Sequence, residues 1–163
     1  MTGVAGALDW IVGLLEDAGI PFQVVGGLAA RAYGATRPLA DIDLYVPSAA
    51  LRRVATLAAP YVTKAPRPHR DAHWDLTFMK LAHGGYQIEI AGADDAMLFD
   101  GRTDTWVSAA IVFEHPCTRD VAGVRLPLMP IAQLLEYKRA LGREVDVADV
   151  AQMEACGDVA RDA

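Results

Sequence analysis

Residues 22–46 read FQVVGGLAARAYGATRPLADIDLYV, and this stretch carries most of the information about the fold. A short apolar strand over residues 22–25 leads into the glycine pair Gly26 and Gly27. Residues 28–33 have the composition of one or two helical turns, which Gly34 ends. A second strand, Asp41–Val46, then follows. The stretch therefore predicts a strand, a glycine turn, a short helix and a strand that begins with two acids.

The two aspartates of this second strand point the same way. Side chains alternate along a strand, so Asp41 and Asp43 share one face while Ile42 and Leu44 occupy the other. Two adjacent carboxylates repel each other, and one pKa rises unless a cation lies between them. Mg²⁺ takes oxygen ligands and leaves coordination sites open for phosphate. The pair therefore predicts a Mg²⁺ site and phosphoryl or nucleotidyl transfer.

A third acid strengthens this prediction. Residues 86–90 alternate, so Glu89 faces away from Ile88 and Ile90. If this strand lies beside Asp41–Val46, Glu89 completes a cluster that can hold two metal ions and bind the attacking and leaving oxygens. Asp75 on the preceding strand is a second candidate for the third ligand. The alternative is that all these acids simply face solvent from a strand edge.

The remaining chain predicts an α+β fold. Apolar residues at 8, 11, 12, 14 and 15 indicate a first helix, and Ser48 is expected to cap a helix over residues 49–58. Residues 64–70 and 93–104 are expected to be loops, and residues 74–81 and 86–91 a hairpin. Further strands are expected at 107–113 and 124–128, helices at 130–141 and 146–156, and frayed residues after 157.

Composition sets broad limits. The 163 residues suit one domain, 1–163, with a catalytic core at about 20–115 and C-terminal helices at about 130–156. The formal charge of −6 argues against a broad nucleic-acid surface. The sequence has neither a signal-peptide pattern nor a run of about 18 apolar residues, so a cytoplasmic protein without membrane association is expected. Cys117 and Cys156 are too few for a disulfide framework.

These motifs resemble the signature of the polymerase-beta-type nucleotidyltransferase superfamily. The matching residues are Val24-Val25-Gly26-Gly27, Arg37 and Asp41-Ile42-Asp43-Leu44. Their spacing is most similar to that of small bacterial members, including lincosamide and aminoglycoside nucleotidyltransferases and nucleotidyltransferase-like toxins. The clear match covers residues 22–46, and a weaker one covers 87–90. Residues 134–138, Gly142-Arg143, Asp146 and Asp149 are similar to a helical pair found in many small members.

The resemblance implies a nucleotidyltransferase fold, in which helices flank a mixed β-sheet and a helical pair forms the C-terminus. By position, Asp41, Asp43 and Glu89 would bind one or two Mg²⁺ ions, and Gly26 and Gly27 would hold the triphosphate. Two departures are visible. Gly27 stands where many members have serine, so a hydroxyl contact to phosphate is missing. Glu89 stands where aspartate is commoner, which extends the reach to the metal by one methylene.

A triphosphate also needs positive charge. Arg37, just before the acidic strand, is the first candidate, because a guanidinium makes bidentate contacts to phosphate. Lys138 lies among apolar residues of a C-terminal helix, where its long stem can reach a pocket. Arg31 is a further candidate. For each residue the alternative is a solvated surface charge.

The predicted activity is transfer of a nucleoside monophosphate from an NTP to an acceptor hydroxyl with release of pyrophosphate. ATP binding is expected, although nothing in the sequence fixes the base of the NTP. Glu89 and Asp94 are candidates for the general base. A small-molecule acceptor such as an antibiotic is favoured over a nucleic acid, because the chain is acidic. The alternatives are a toxin acting on tRNA or protein, a metal-dependent phosphohydrolase, and a catalytically silent binding or regulatory module.

Overall fold

The computed structural model describes residues 2–157. The predicted α+β class is confirmed, because a mixed sheet is flanked by helices and two helices close the chain. The helices in the described part are α1 (Thr2–Asp17), α2 (Gly26–Ala32), α3 (Leu51–Leu57), α4 (Ile131–Leu141) and α5 (Glu144–Cys156). Within residues 2–157, no helix is both long enough and apolar enough to cross a membrane.

The strands of the same part are β1 (Gln23–Val25), β2 (Asp41–Val46), β3 (Val62–Arg70), β4 (Trp74–His83), β5 (Tyr86–Gly92), β6 (Met97–Asp100), β7 (Thr105–Ser108), β8 (Cys117–Val121) and β9 (Val124–Leu128). They form one sheet in the order β7-β6-β4-β5-β2-β1-β9-β8, and β3 pairs with β4. β2 lies between β1, to which it is antiparallel, and β5, to which it is parallel.

The two faces of the central strands have different surroundings. Ile42 of β2 and Ile88 of β5 are paired in register and fully buried. α1 covers this face, where Gly3 approaches the ring of Tyr86. Each buried isoleucine contributes roughly 1.5–3 kcal/mol through removal of apolar surface from water. The packing of this apolar face fixes β2 and β5 side by side, and their polar residues emerge together on the opposite face.

The expected loop at residues 64–70 is wrong, since these residues belong to β3. Pro66 and Pro68 argued for a loop because proline cannot donate a backbone hydrogen bond. Among the described strands, β3 pairs only with β4, and prolines are tolerated on such edge strands. Shifts in register between Val62 and Arg67 further adapt the pairing to them.

Three other local predictions are corrected. The expected loop at 93–104 contains β6, and the strand expected at 107–113 ends at Ser108. β8 was not predicted. Ser48 does not cap a helix, because it begins a 3-10 turn, and its hydroxyl accepts a hydrogen bond of 3.1 Å from the backbone N–H of Asp94. The predicted hairpin of β4 and β5 is confirmed. The expected fraying after residue 157 lies outside the described residues.

Candidate active site

A cleft of about 540 Å³ opens on the polar face of the central strands. Asp43 of β2 and Glu89 of β5 are direct neighbours in the parallel register, and Asp41 lies two residues before Asp43. Carboxylate oxygens of these three residues lie within 4.8 Å of one another. The structure therefore brings together the three acids singled out in the sequence, which we call the acid cluster.

The acid cluster carries more negative charge than its surroundings neutralise. Within residues 2–157, the carboxylates of Asp41 and Asp43 have no hydrogen-bond or ion-pair partner, whereas Glu89 lies 2.7 Å from Nζ of Lys80. Burial, and then the charges of Asp41 and Glu89, raise the pKa of Asp43 to about 7. Burial and the charge of Glu89 also raise the pKa of Asp41. A bound cation would remove this electrostatic cost.

The ligand set fits Mg²⁺. It consists of carboxylate oxygens, the hard ligands that Mg²⁺ prefers, and it lies in an open cleft that admits water and phosphate. The other candidate, Asp75, is not part of this group. Its carboxylate accepts a 3.0 Å hydrogen bond from Nη1 of Arg70. The described geometry therefore favours Glu89 as the third ligand.

Both glycines after β1 allow a close approach of a site residue. Gly26 has a φ of +65°, and a Cβ added there would lie 2.9 Å from Cγ of Asp43 and closer still to its Oδ2. A Cβ at Gly27 would lie 2.7 Å from Nη2 of Arg37. The glycines thus leave room for the second aspartate and for the arginine, a function that the sequence alone did not reveal.

We predict that Gly26→Ala lowers the free energy of unfolding by about 1–3 kcal/mol, because it combines a left-handed backbone with a collision at Asp43. Chemical denaturation measures the change. Gly13→Ala is the matched control: Gly13 lies within α1 with open space at its Cβ position, so alanine there is expected to stabilise the protein by roughly 0.5–1 kcal/mol. Equal effects of the two substitutions on the free energy of unfolding would contradict the close approach of Asp43 to Gly26.

Arg37 and Lys138 are anchored by buried acids of α5. Arg37 Nε donates to both carboxylate oxygens of Asp149, at 3.0 and 3.1 Å. Lys138 Nζ lies 2.9 Å from Asp149 and 3.2 Å from Asp146, and its side chain is only 2% exposed. Both basic residues border the cleft. Lys138 thus reaches the cleft from its helix with its ammonium group held inside this ion network, and its contact with the triphosphate stays a prediction.

Two other candidates lie differently from expectation. Arg31 donates to the backbone carbonyl of Arg37 at 2.6 Å, so it supports the connection to β2 and does not line the cleft. Asp94 also lies away from the lining, and its carboxylate accepts a 2.7 Å hydrogen bond from the backbone N–H of Ser48. Neither position favours a direct contact with substrate.

Arg143 borders the cleft and was not singled out as a site residue. Its Nε lies 2.7 Å from Oδ2 of Asp146, and its guanidinium lies 4.7 Å from the ring of Trp74. Burial lowers the pKa of Arg143, but the hydrogen bond and charge of Asp146 outweigh this effect and raise it. In the sequence, the one local feature that singles out Arg143 is its position directly after Gly142, the glycine that ends α4.

Comparison with solved structures identifies the fold. A protein of Thermotoga maritima, TM1012, provisionally assigned as a nucleotidyltransferase, is 19% identical with a TM-score of 0.72, over 93% of this chain and 92% of that chain. The lincosamide antibiotic adenylyltransferase LnuA, solved with lincomycin, is 15% identical with a TM-score of 0.59, over 91% and 95% of the chains. ANT(2″)-Ia, in complex with adenylyl-2″-tobramycin, is 14% identical with a TM-score of 0.60, over 99% and 92%.

At these identities the comparison shows the fold. The chain has the nucleotidyltransferase fold, and the resemblance seen in its motifs is confirmed at that level. The sequence matches no protein-family profile and no curated protein. The chemistry must therefore be argued from the residues of the cleft.

Proposed function

We propose that this protein transfers a nucleoside monophosphate from an NTP to the hydroxyl group of a small molecule. The observation that carries the proposal is the acid cluster beside the Gly26 turn. Similar folds that act on antibiotics support it, since LnuA is an adenylyltransferase and ANT(2″)-Ia was solved with an adenylylated tobramycin. The cleft of about 540 Å³ lies within the usual size range of small-molecule sites.

In the proposed reaction, the acceptor oxygen attacks the α-phosphorus, and the bond to the bridging oxygen of the β-phosphate breaks. Pyrophosphate leaves, and the hydroxyl proton passes to Glu89, the cluster carboxylate farthest across the sheet from Gly26. Asp41, Asp43 and Glu89 would hold one or two Mg²⁺ ions. When bound, Mg²⁺ would stabilise negative charge on the phosphate oxygens and make the acceptor hydroxyl more acidic.

We place the triphosphate near Gly26 and Gly27, which border the cleft and allow Asp43 and Arg37 to approach their backbone closely. Arg37 and Lys138 border this end of the cleft, and Arg143 adds a third positive charge. Asp146 and Asp149 balance part of this charge and hold the basic groups in place. Such prepositioned cations favour a polyanion without further reorganisation.

The direct test follows label from each α-³²P-labelled NTP in the presence of Mg²⁺ and candidate acceptors, including lincomycin and tobramycin. Transfer leaves the label on an acceptor, whereas a phosphohydrolase would release labelled monophosphate. A silent binding module would bind the nucleotide and leave it intact. We expect a labelled acceptor with the native protein and none with Asp41→Asn. Release of free monophosphate alone would overturn the proposal in favour of hydrolysis.

We also predict that Mg²⁺ affinity rises with pH up to about pH 7. The pKa of Asp43 is raised to about 7 by burial and then by Asp41 and Glu89, so a cation must displace a proton at lower pH. The affinity should rise by up to about tenfold per pH unit from pH 5 to 7 and level off above pH 8. Isothermal titration in buffers of different ionisation enthalpy measures the released proton. Equal affinity at pH 6 and pH 8 would contradict this assignment.

A further inference from the structure

The wall of the cleft opposite the Gly26 turn is basic and aromatic. The strand register places Glu89 beside Lys80 and Lys80 beside Lys64, so one row of side chains runs from Asp43 across the sheet to β3. Phe78 lies next to this row. We call Lys64, Lys80 and Phe78 the basic wall.

The basic wall lies on the acceptor side if the proposed function holds. In an in-line displacement the attacking oxygen and the leaving pyrophosphate are on opposite sides of the phosphorus. The triphosphate is proposed at Gly26 and Gly27, which lie on the β1 side of Asp43. The acceptor must therefore approach over β5, β4 and β3, where the basic wall is.

The positive charge of this wall is only partly neutralised. Within residues 2–157, Lys64 has no ion pair, and its Nζ lies 3.9 Å from the centre of the Phe78 ring. Partial burial and the positive charges of Arg67 and Lys80 lower the pKa of Lys64. Lys80 pairs with Glu89, a proposed ligand of the cation, so bound Mg²⁺ would compete for this partner. An anion at the wall would neutralise the exposed charge.

The charge distribution along the chain leads to the same conclusion. Of the Lys, Arg, Asp and Glu residues in the segment 52–80, only Lys64, Lys80 and Asp71 border the cleft, and Asp71 lies 2.9 Å from His69. Like charges are costly to bring together, and an opposite charge lowers this cost. A polycationic acceptor such as an aminoglycoside would be repelled from this wall, whereas a phosphate would be attracted.

We propose, on the basis of the proposed function, that the acceptor hydroxyl belongs to a phosphorylated molecule whose phosphate binds Lys64 and Lys80. The ring of Phe78 is only 8% exposed, and its contact with Nζ of Lys64 at 3.9 Å helps to hold that ammonium group at the cleft. A mononucleotide has this chemistry and fits the small-molecule acceptor of the proposed function, because it carries a ribose hydroxyl close to phosphate. An RNA 3′ end carries the same groups, so its labelling would extend the acceptor class beyond small molecules. In the transfer, the ribose oxygen bonds to the α-phosphorus of the NTP, the bond to the β-phosphate oxygen breaks, and pyrophosphate leaves.

The test measures transfer from all four α-³²P-labelled NTPs to AMP, to an RNA oligonucleotide with a free 3′ hydroxyl, to adenosine and to tobramycin. We expect at least about tenfold faster labelling of AMP or the RNA than of adenosine or tobramycin, since charge-assisted contacts to phosphate are strong. Comparing the labelling rate of AMP with that of the RNA shows whether a mononucleotide or an RNA end is the preferred acceptor. Lys64→Gln should remove most of this preference and leave the KM for NTP unchanged. Arg125→Gln, at an exposed arginine of β9, is the control and should change neither the acceptor preference nor the KM for NTP.

Each other outcome counts against the inference. If tobramycin or adenosine is labelled at least as fast as AMP and RNA, the inference is overturned while nucleotidyl transfer is supported. The same holds if Lys64→Gln changes only the KM for NTP and leaves the preference for AMP or RNA intact. If no acceptor is labelled, AMP and RNA binding is measured on protein saturated with Mg²⁺ and a non-hydrolysable NTP analogue. Binding weaker than about 1 mM would overturn the inference. Failure to bind the analogue would instead overturn the proposed function, on which the inference rests.

Discussion

Asp43→Asn is expected to abolish nucleotidyl transfer and, at the same time, to stabilise the cation-free protein. The carboxylate lies at the centre of the acid cluster, between Asp41 and Glu89. Its replacement removes a ligand of the proposed cation, and metal ions contribute several kcal/mol to such transition states. Because 1.36 kcal/mol corresponds to a factor of ten, the rate should fall by about 10³-fold or more.

The gain in stability follows from the raised pKa of Asp43. A carboxyl whose folded-state pKa is about 7 stabilises the folded state below its unfolded pKa, and this contribution is lost as pH rises from about 4 to 7. Above pH 7 the folded protein therefore carries the full cost of the charge. The neutral amide avoids this cost, so Asp43→Asn should raise the free energy of unfolding by roughly 1–3 kcal/mol at pH 8.

Transfer assays and urea denaturation at pH 8 and pH 4.5 measure the two effects. The stabilisation should nearly vanish at pH 4.5, where the native carboxyl is also protonated. Asp75→Asn is the matched control, because Asp75 is paired with Arg70 outside the acid cluster. It should keep most of the activity. An Asp43→Asn protein that keeps its transfer activity, or one that is no more stable than the native protein at pH 8, would contradict the proposed site.

Lys138→Met is expected to cost about 3–5 kcal/mol of unfolding free energy. The ammonium group is buried between Asp146 and Asp149, whose side chains are 0% and 1% exposed. Methionine fills a similar volume but leaves the two buried carboxylates dependent on Arg37 and Arg143 alone. Removal of one partner from a buried ion network is destabilising, because the remaining charge stays out of contact with water.

The neighbouring residue provides the control for this prediction. Arg139 on the same helix is also paired with two carboxylates, Glu136 and Glu154, but its side chain is 37% exposed. Arg139→Met should therefore cost less than about 1 kcal/mol. Denaturation of both variants under the same conditions measures the difference. Similar losses would show that the network around Lys138 has no special role in holding α4 against α5.

The acid cluster could be predicted because its determinants are local. Alternation along β2 fixes the shared face of Asp41 and Asp43, and alternation along β5 fixes the face of Glu89. One further assumption, that these two strands are neighbours, was enough to bring the three together. The glycine turn and the helix after it were recognisable for the same reason.

Features that depend on tertiary context could not be predicted. The prolines of β3 indicate a loop until the strand is known to lie at an edge. Cys117–Val121 forms β8 through pairing with β9, although its own residues are largely polar. The ion network of Lys138 joins residues of α5 to Arg37, which lies more than one hundred positions earlier in the chain. No local pattern indicates that Asp149 is buried.

The most direct measurement is a crystal structure with Mn²⁺ in place of Mg²⁺ and a non-hydrolysable NTP, in which anomalous scattering locates the metal. We predict a metal bound by oxygens of Asp41, Asp43 and Glu89, with the triphosphate extending towards Gly26 and Gly27. A nucleotide bound elsewhere, or a metal that contacts none of these three carboxylates, would contradict the proposed site and the activity assigned to it.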